Sequence, residues 1–162
     1  MTTAIYAIGI GSNRRGRHGG PRDMVRAAIA AIGAGIGDVV ACAPIIDSAP
    51  LGPSIRRFAN TAILIASDES PPALLDRLKG LEAAFGRRRG RRWGARVIDL
   101  DILLWSGGAW RDDRLTVPHA ALSSRSFVLT PLAAIAADWR DPVSGRTIRQ
   151  LSHAVDRPRP RA

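Results

Sequence analysis

Along residues 4–104 the apolar side chains change their spacing repeatedly, and the order of those changes constrains the fold more than any composition figure does. Residues 4–10 form a short apolar run that ends in Gly9-Ile10-Gly11-Ser12-Asn13, a strand running into a turn. From Asp23, the residues Met24, Val25, Ala28, Ile29 and Ile32 recur at helical spacing, and Gly33 and Gly35 end that helix. Residues 39–46 read as a β-branched strand and residues 60–66 as a second, joined by a loop containing Pro50, Gly52 and Pro53. Ser70-Pro71-Pro72 opens another helix, with a capping hydroxyl and proline in the first turn. Leu74, Leu75, Leu78, Leu81 and Phe85 line one face of it, and Gly86 closes it. Residues 96–104 are the clearest strand of all.

Strand-helix-strand-strand-helix-strand is the order of a ferredoxin-like α+β sandwich, a mainly antiparallel sheet with flanking helices. Helices on one face would leave the loops at one edge free to build a site. A turn at residues 106–108, an extended segment at 115–119 and a helical stretch around 127–136 follow. Residues 156–162, rich in Pro and Arg, read as a disordered tail behind a single domain over residues 1–155. A chain of 162 residues suits one compact domain, and a hydrophobic fraction of 46% supplies its core. Cys42 is the only cysteine, which excludes an internal disulfide and a multi-cysteine zinc site. Inside the apolar run 39–43 it is expected to be a buried thiol acting as a small hydrophobe. No secretory leader pattern opens the sequence, and its apolar stretches fall short of the ~20 residues of a membrane span. A cytoplasmic monomer is the expectation.

The net charge is +10, and of 24 basic residues only Lys79 is lysine. So lopsided a bias can follow from codon composition, and a high pI does not by itself establish nucleic-acid binding. The local density of Arg87, Arg88, Arg89, Arg91, Arg92 and Arg96 is more specific, since it calls for phosphates of a nucleotide or of a nucleic acid.

Immediately after that loop comes Val97-Ile98-Asp99-Leu100-Asp101-Ile102-Leu103-Leu104. Strand alternation points Ile98, Leu100, Ile102 and Leu104 to the core, and Asp99 and Asp101 together to the other face, with Cα atoms ~7 Å apart. Like charges so placed repel, and a divalent cation offsets the repulsion. Magnesium favours carboxylates plus phosphate oxygens, so the pair suits a magnesium nucleotide; a solvated edge strand with incidental acids is the plainer alternative. Guanidinium groups beside the pair would clamp a triphosphate, and the glycines of residues 86–94 suit a loop that closes over it. Trp93 suits stacking on a base or capping the core equally well. There is no Walker A loop and no protein-kinase signature.

Taken in order, Gly11-Ser12-Asn13, Pro50-Leu51-Gly52-Pro53, Phe58-Ala59-Asn60, Gly86-Arg87, Arg92-Trp93-Gly94, Arg96, Asp99-Leu100-Asp101, Leu115-Thr116-Val117-Pro118-His119 and Arg125-Ser126-Phe127 resemble the 6-hydroxymethyl-7,8-dihydropterin pyrophosphokinase family of folate biosynthesis. The resemblance implies a ferredoxin-like fold and transfer of diphosphate from ATP to the pterin hydroxymethyl group with release of AMP. It implies Asp99 and Asp101 as ligands of two magnesium ions, with Arg87 and Arg96 beside them as catalytic residues. The nucleotide would meet Glu82, Arg87, Arg92, Trp93, Arg96, Ile102, Arg114, Thr116, His119 and Arg125. The pterin would lie between Phe58 and Phe127, read by Asn60 and by Ser48, Ala49 and Leu51, with Trp93 bordering both ligands. Ala95 stands where the family favours proline and Val97 where it favours threonine, departures that touch no metal ligand and no stacking ring.

The rival reading is a non-enzymatic RNA-binding module that uses the arginine-rich loop, since ferredoxin-like sheets bind single-stranded RNA elsewhere. Against it, no RNP pattern of aromatics occurs, and Asp99 and Asp101 would repel a phosphate backbone.

Overall fold

The computed structural model describes residues 3–48, 58–86 and 97–156. Strand β1 (Ala4–Ser12) runs two residues past its expected end. Helix α1 (Pro21–Gly35) begins with Pro21, whose fixed φ suits a first turn and whose missing N–H would find no helical partner there. It buries Met24, Val25, Ala28 and Ile32, and it passes through Gly33 before the Ile36 N–H closes on the Ile32 carbonyl.

The strand expected over residues 39–46 is two strands, β2 (Asp38–Cys42) and β3 (Ile46–Ser48). Both pair antiparallel with β4 (Phe58–Ser67). Pro44 stands at the break, where it has no N–H for the ladder. Because β2 is the sheet edge, its alternate residues face water, and Cys42 is exposed rather than buried as expected. Helix α2 (Pro71–Ala84) starts as predicted, with the Ala73 N–H donating to Ser70 Oγ at 3.4 Å.

Strand β5 (Asp99–Trp105) completes the sheet, in the order β2-β4-β1-β5 with every neighbour antiparallel. That is the ferredoxin-like arrangement. Strands β6 (Trp110–Arg111) and β7 (Thr116–Val117) form a small hairpin, followed by α3 (Ser126–Ala136) and α4 (Ile148–Asp156).

Helices cover both faces of the sheet, not one. On one side α1 and α2 pack over Tyr6, Ile8, Ile10, Ile63, Ile65, Leu100 and Ile102. On the other, α3 and α4 bring Leu129, Leu132, Ile148 and Leu151 onto Ala7, Ala62, Leu103 and Leu104. The apolar side of α4 is brief, and periodicity did not reveal the helix; Asp156 is its last residue, while residues 157–162 of the expected tail lie outside the described residues. Leu104 also departs from expectation. Ile8 pairs with Ile102 but Ala7 pairs with Leu104, so Leu103 is an extra residue that turns Leu104 to the α3 side. Among the described residues no helix is long and apolar enough to cross a membrane.

Candidate active site

The half of the sheet towards the carboxyl end of β1 has little side-chain bulk on its α3 face. Gly11 stands between Asn60 of β4 and Asp99 of β5, and Gly9 between Ala62 and Asp101. Small residues there leave a trough in which larger ones would have filled the layer between sheet and helix. The trough is a cavity of about 170 Å³.

Its walls carry the chemistry. Asp99 and Asp101 face it from β5, as alternation predicts, and Phe58 and Asn60 face it from β4. Phe127, in the first turn of α3, supplies a second ring, and Arg125 stands just before that helix. The Arg125 guanidinium carbon lies 5.7 Å from the centre of the Phe127 ring, a cation–π contact that joins the positive charge to the apolar wall. His119 enters from the segment after β7, behind the cis Val117–Pro118 peptide, and its N–H donates to the Leu103 carbonyl at 3.0 Å. Its Nδ1 accepts the Ala121 N–H at 3.0 Å, so a neutral ring carries its proton on Nε2. Nε2 points to Asp101 Oδ1, 3.9 Å away.

The site therefore joins two hard carboxylates, a histidine and an arginine to two aromatic rings and an amide. Flat heteroaromatic rings suit the aromatic pair and the amide, and polyphosphate with a cation suits the charged groups. Among the described residues no group of three or more His, Cys, Asp and Glu is arranged to hold a metal. Two carboxylates alone leave most of a cation's coordination to a ligand's oxygens, which is how magnesium is usually shared with phosphates.

Residues 7–137 match the family model described as 7,8-dihydro-6-hydroxymethylpterin-pyrophosphokinase. The chain belongs to this family. Among its relatives, the 2-amino-4-hydroxy-6-hydroxymethyldihydropteridine pyrophosphokinase of Pseudomonas aeruginosa is 39% identical over 153 residues, covering 93% of this chain and 91% of that one. The protein of the same name from Synechocystis sp. is 40% identical over 151 residues, covering 92% and 75%. The wild-type HPPK-DHPS of Plasmodium falciparum shares the fold with a TM-score of 0.74 at 13% identity, over 94% of this chain and 41% of that one. A further HPPK-DHPS structure, in complex with substrates, gives the same TM-score at 13% identity, over 95% and 43%. This chain thus spans about two-fifths of the length of those solved structures.

Several residues that the pyrophosphokinase resemblance assigns to the nucleotide do not line the cavity. Ile102 is buried among the side chains on the α1–α2 face. Glu82 lies on the same side, 7% exposed, where it accepts the Leu100 N–H at 3.2 Å and stands 3.6 Å from Lys79 Nζ. Arg114 pairs with Asp76 of α2, and Thr116 is exposed on β7. Ser48 is the last residue of β3, in register with Phe58. Ala49, Leu51, Arg87, Arg92, Trp93 and Arg96 lie outside the described residues. Conversely, Gly9, Thr61, Leu103 and Val128 line the cavity without having been singled out. Alternation carries the signal for two of them: Gly9 is two residues before Gly11, and Leu103 two after Asp101.

Proposed function

We infer that the trough between Phe58, Phe127 and the Asp99–Asp101 edge is where this pyrophosphokinase moves the diphosphate of ATP onto 6-hydroxymethyl-7,8-dihydropterin. The observation that carries the reading is the convergence of two stacking rings, an amide and an acidic pair on one cavity, from three separate elements. The pterin lies between Phe58 and Phe127, with Asn60 hydrogen-bonding its edge and the 48–51 segment beside it. ATP lies over β5 and the His119 segment, its phosphates towards Asp99, Asp101, His119 and Arg125.

The pterin hydroxyl oxygen bonds to the β-phosphorus as the bond from that phosphorus to the AMP oxygen breaks, and the hydroxyl proton leaves to solvent. Transfers of this kind have loose transition states, so positioning and charge neutralisation supply most of the acceleration. The Phe rings and Asn60 fix the acceptor, and the cavity walls keep water from competing. Asp99 and Asp101 are the residues that would hold magnesium, two ions in this reading, and bound magnesium supplies charge neutralisation at the phosphates. Arg87, Arg92 and Arg96 are assigned to the same phosphates on their sequence motif, and Trp93 to the border between the ligands.

The RNA-binding alternative has no support. The sheet face on which ferredoxin-like RNA binders stack bases is covered here by α3 and α4. Incubation with magnesium, ATP and the pterin alcohol is expected to release AMP and pterin diphosphate in equal amounts. Release of ADP, or no nucleotide product at all, would refute the assignment.

A further inference from the structure

Glycine inside a strand weakens it by roughly 0.5–1 kcal/mol relative to alanine, and β1 has it at both Gly9 and Gly11. Backbone conformation does not require it. The positive-φ glycines among the described residues are Gly19, Gly86, Gly108 and Gly145, none of them in β1. The demand is therefore for space, and the two positions differ in what a side chain would meet. A Cβ at Gly9 would come within 3.3 Å of the Leu103 side chain, which needs a shift of only a few tenths of an ångström. A Cβ at Gly11 would stand 2.8 Å from Asn60 Oδ1, closer than real Cβ atoms approach. Asn60 would have to swing its amide away from that position, within the cavity that it lines.

Gly11 also occupies the one β1 position in register with both Asn60 and Asp99. Adjacent strands lie about 4.8 Å apart, so the backbone positions of Asn60 and Asp99 stand about 10 Å apart across the bare position. A flat bicyclic ring with a one-carbon alcohol arm spans a distance of that order. We propose that Gly11 is a positioning residue for the acceptor. Its missing side chain lets the Asn60 amide stand where it reads the ring edge, and it leaves open the lane along which the alcohol arm crosses β1 towards Asp99. The inference rests on the pterin reading of the cavity and adds a residue that touches the acceptor's reader rather than the reacting atoms.

The test is a double-mutant cycle read as pterin binding, measured by fluorescence with magnesium and a saturating non-hydrolysable ATP analogue. Gly11→Ala is expected to raise the pterin Kd about tenfold in the wild-type background and less than about threefold when Asn60 is already alanine. The Kd for the ATP analogue is expected to change less than about twofold, which a general loosening of the sheet would not allow. An equal pterin penalty in both backgrounds, or none in the wild type, overturns the inference. If Gly11→Ala fails to fold, recovery of folding by Asn60→Ala supports the clash with the amide, and its absence overturns it. Wild-type protein that binds no pterin would instead overturn the functional reading, so the two failures are distinguishable.

Discussion

His119 turns Nε2 towards Asp101 Oδ1 at 3.9 Å while the Ala121 N–H holds its Nδ1. The separation is too long for a direct hydrogen bond, and it leaves the Nε2–H available to donate to a phosphate oxygen and the carboxylate available to hold a cation. His119→Ala is expected to remove one hydrogen bond to a charged group, about 1.5–3 kcal/mol of nucleotide binding. That corresponds to a KM for ATP raised by one to two orders of magnitude. His119→Gln, which keeps an N–H at the same reach, should lose less. Steady-state kinetics with each substrate varied in turn decide it: an unchanged KM for ATP in His119→Ala overturns the placement.

Asp101 is the plainer case. Its side chain is 52% exposed, so Asp101→Asn removes a charge without opening a hole in the core. Turnover should fall by about a hundred- to a thousandfold, on the scale of losing a group that stabilises developing charge, while the melting temperature stays within about 2 °C. AMP release at near wild-type rate would refute a metal-holding role.

How far the sequence carried these assignments depended on the range of the cause. Alternation is local, so Asp99 and Asp101 fell on one face of β5 as read, and Ser70 and Pro71 marked the start of α2. The break at Pro44 has an equally local cause, a residue without an N–H inside a β-branched run. The extra residue at Leu103 had no local sign, since it arises from how β5 fits β1. The exposure of Cys42 likewise depended on β2 lying at the sheet edge, which no run of apolar residues can tell. Phe58, Asn60, His119 and Phe127 were assembled by motif resemblance, and no spacing rule would have brought them to one cavity. Glu82 and Ile102 came with the same resemblance, and the fold turns their side chains to the opposite side of the sheet.

Glu82 therefore carries a stability prediction. Its carboxylate accepts the buried Leu100 N–H at 3.2 Å, between the two acids of the site. Glu82→Ala leaves that donor without this partner, a loss of about 1–3 kcal/mol, or a melting temperature lower by roughly 2–12 °C at this chain length. Glu82→Gln, which retains an acceptor oxygen, should recover most of it. Equal melting temperatures for wild type and Glu82→Ala would show that the carboxylate does not support β5.

At the β6–β7 turn, Asp112 accepts the Trp110 indole N–H at 2.9 Å and the Arg114 and Leu115 amides at 2.8 Å each. The indole bond first, then these amide bonds, holds its carboxyl below the usual carboxylate range. With a lowered folded pKa, the contribution is complete above the unfolded value near 4 and is lost as pH falls through the folded one. The Trp110 indole resonance should therefore stay constant from neutral pH down to about 4 and shift only in stronger acid. An indole that titrates near neutrality, or one that Asp112→Ala leaves unmoved, would overturn the link.

Tyr6 couples stability to alkaline pH. Its ring is fully buried against α1 and α2, and its hydroxyl donates to the Glu69 carbonyl at 2.6 Å. Burial first, and the nearby Glu69 charge second, push its pKa up to about 12. Below about pH 10 the phenol is neutral in both folded and unfolded chains, and its contribution is fully present. As pH rises further, the unfolded chain releases the proton first, and stability falls until the folded pKa is passed. Tyr6→Phe removes the hydrogen bond, which should cost about 1 kcal/mol and about 2–4 °C at neutral pH. It also removes this proton, so urea unfolding at about pH 8 and about pH 11 should differ less in the variant than in the wild type. Wild type and Tyr6→Phe losing the same stability between those two conditions would overturn the coupling.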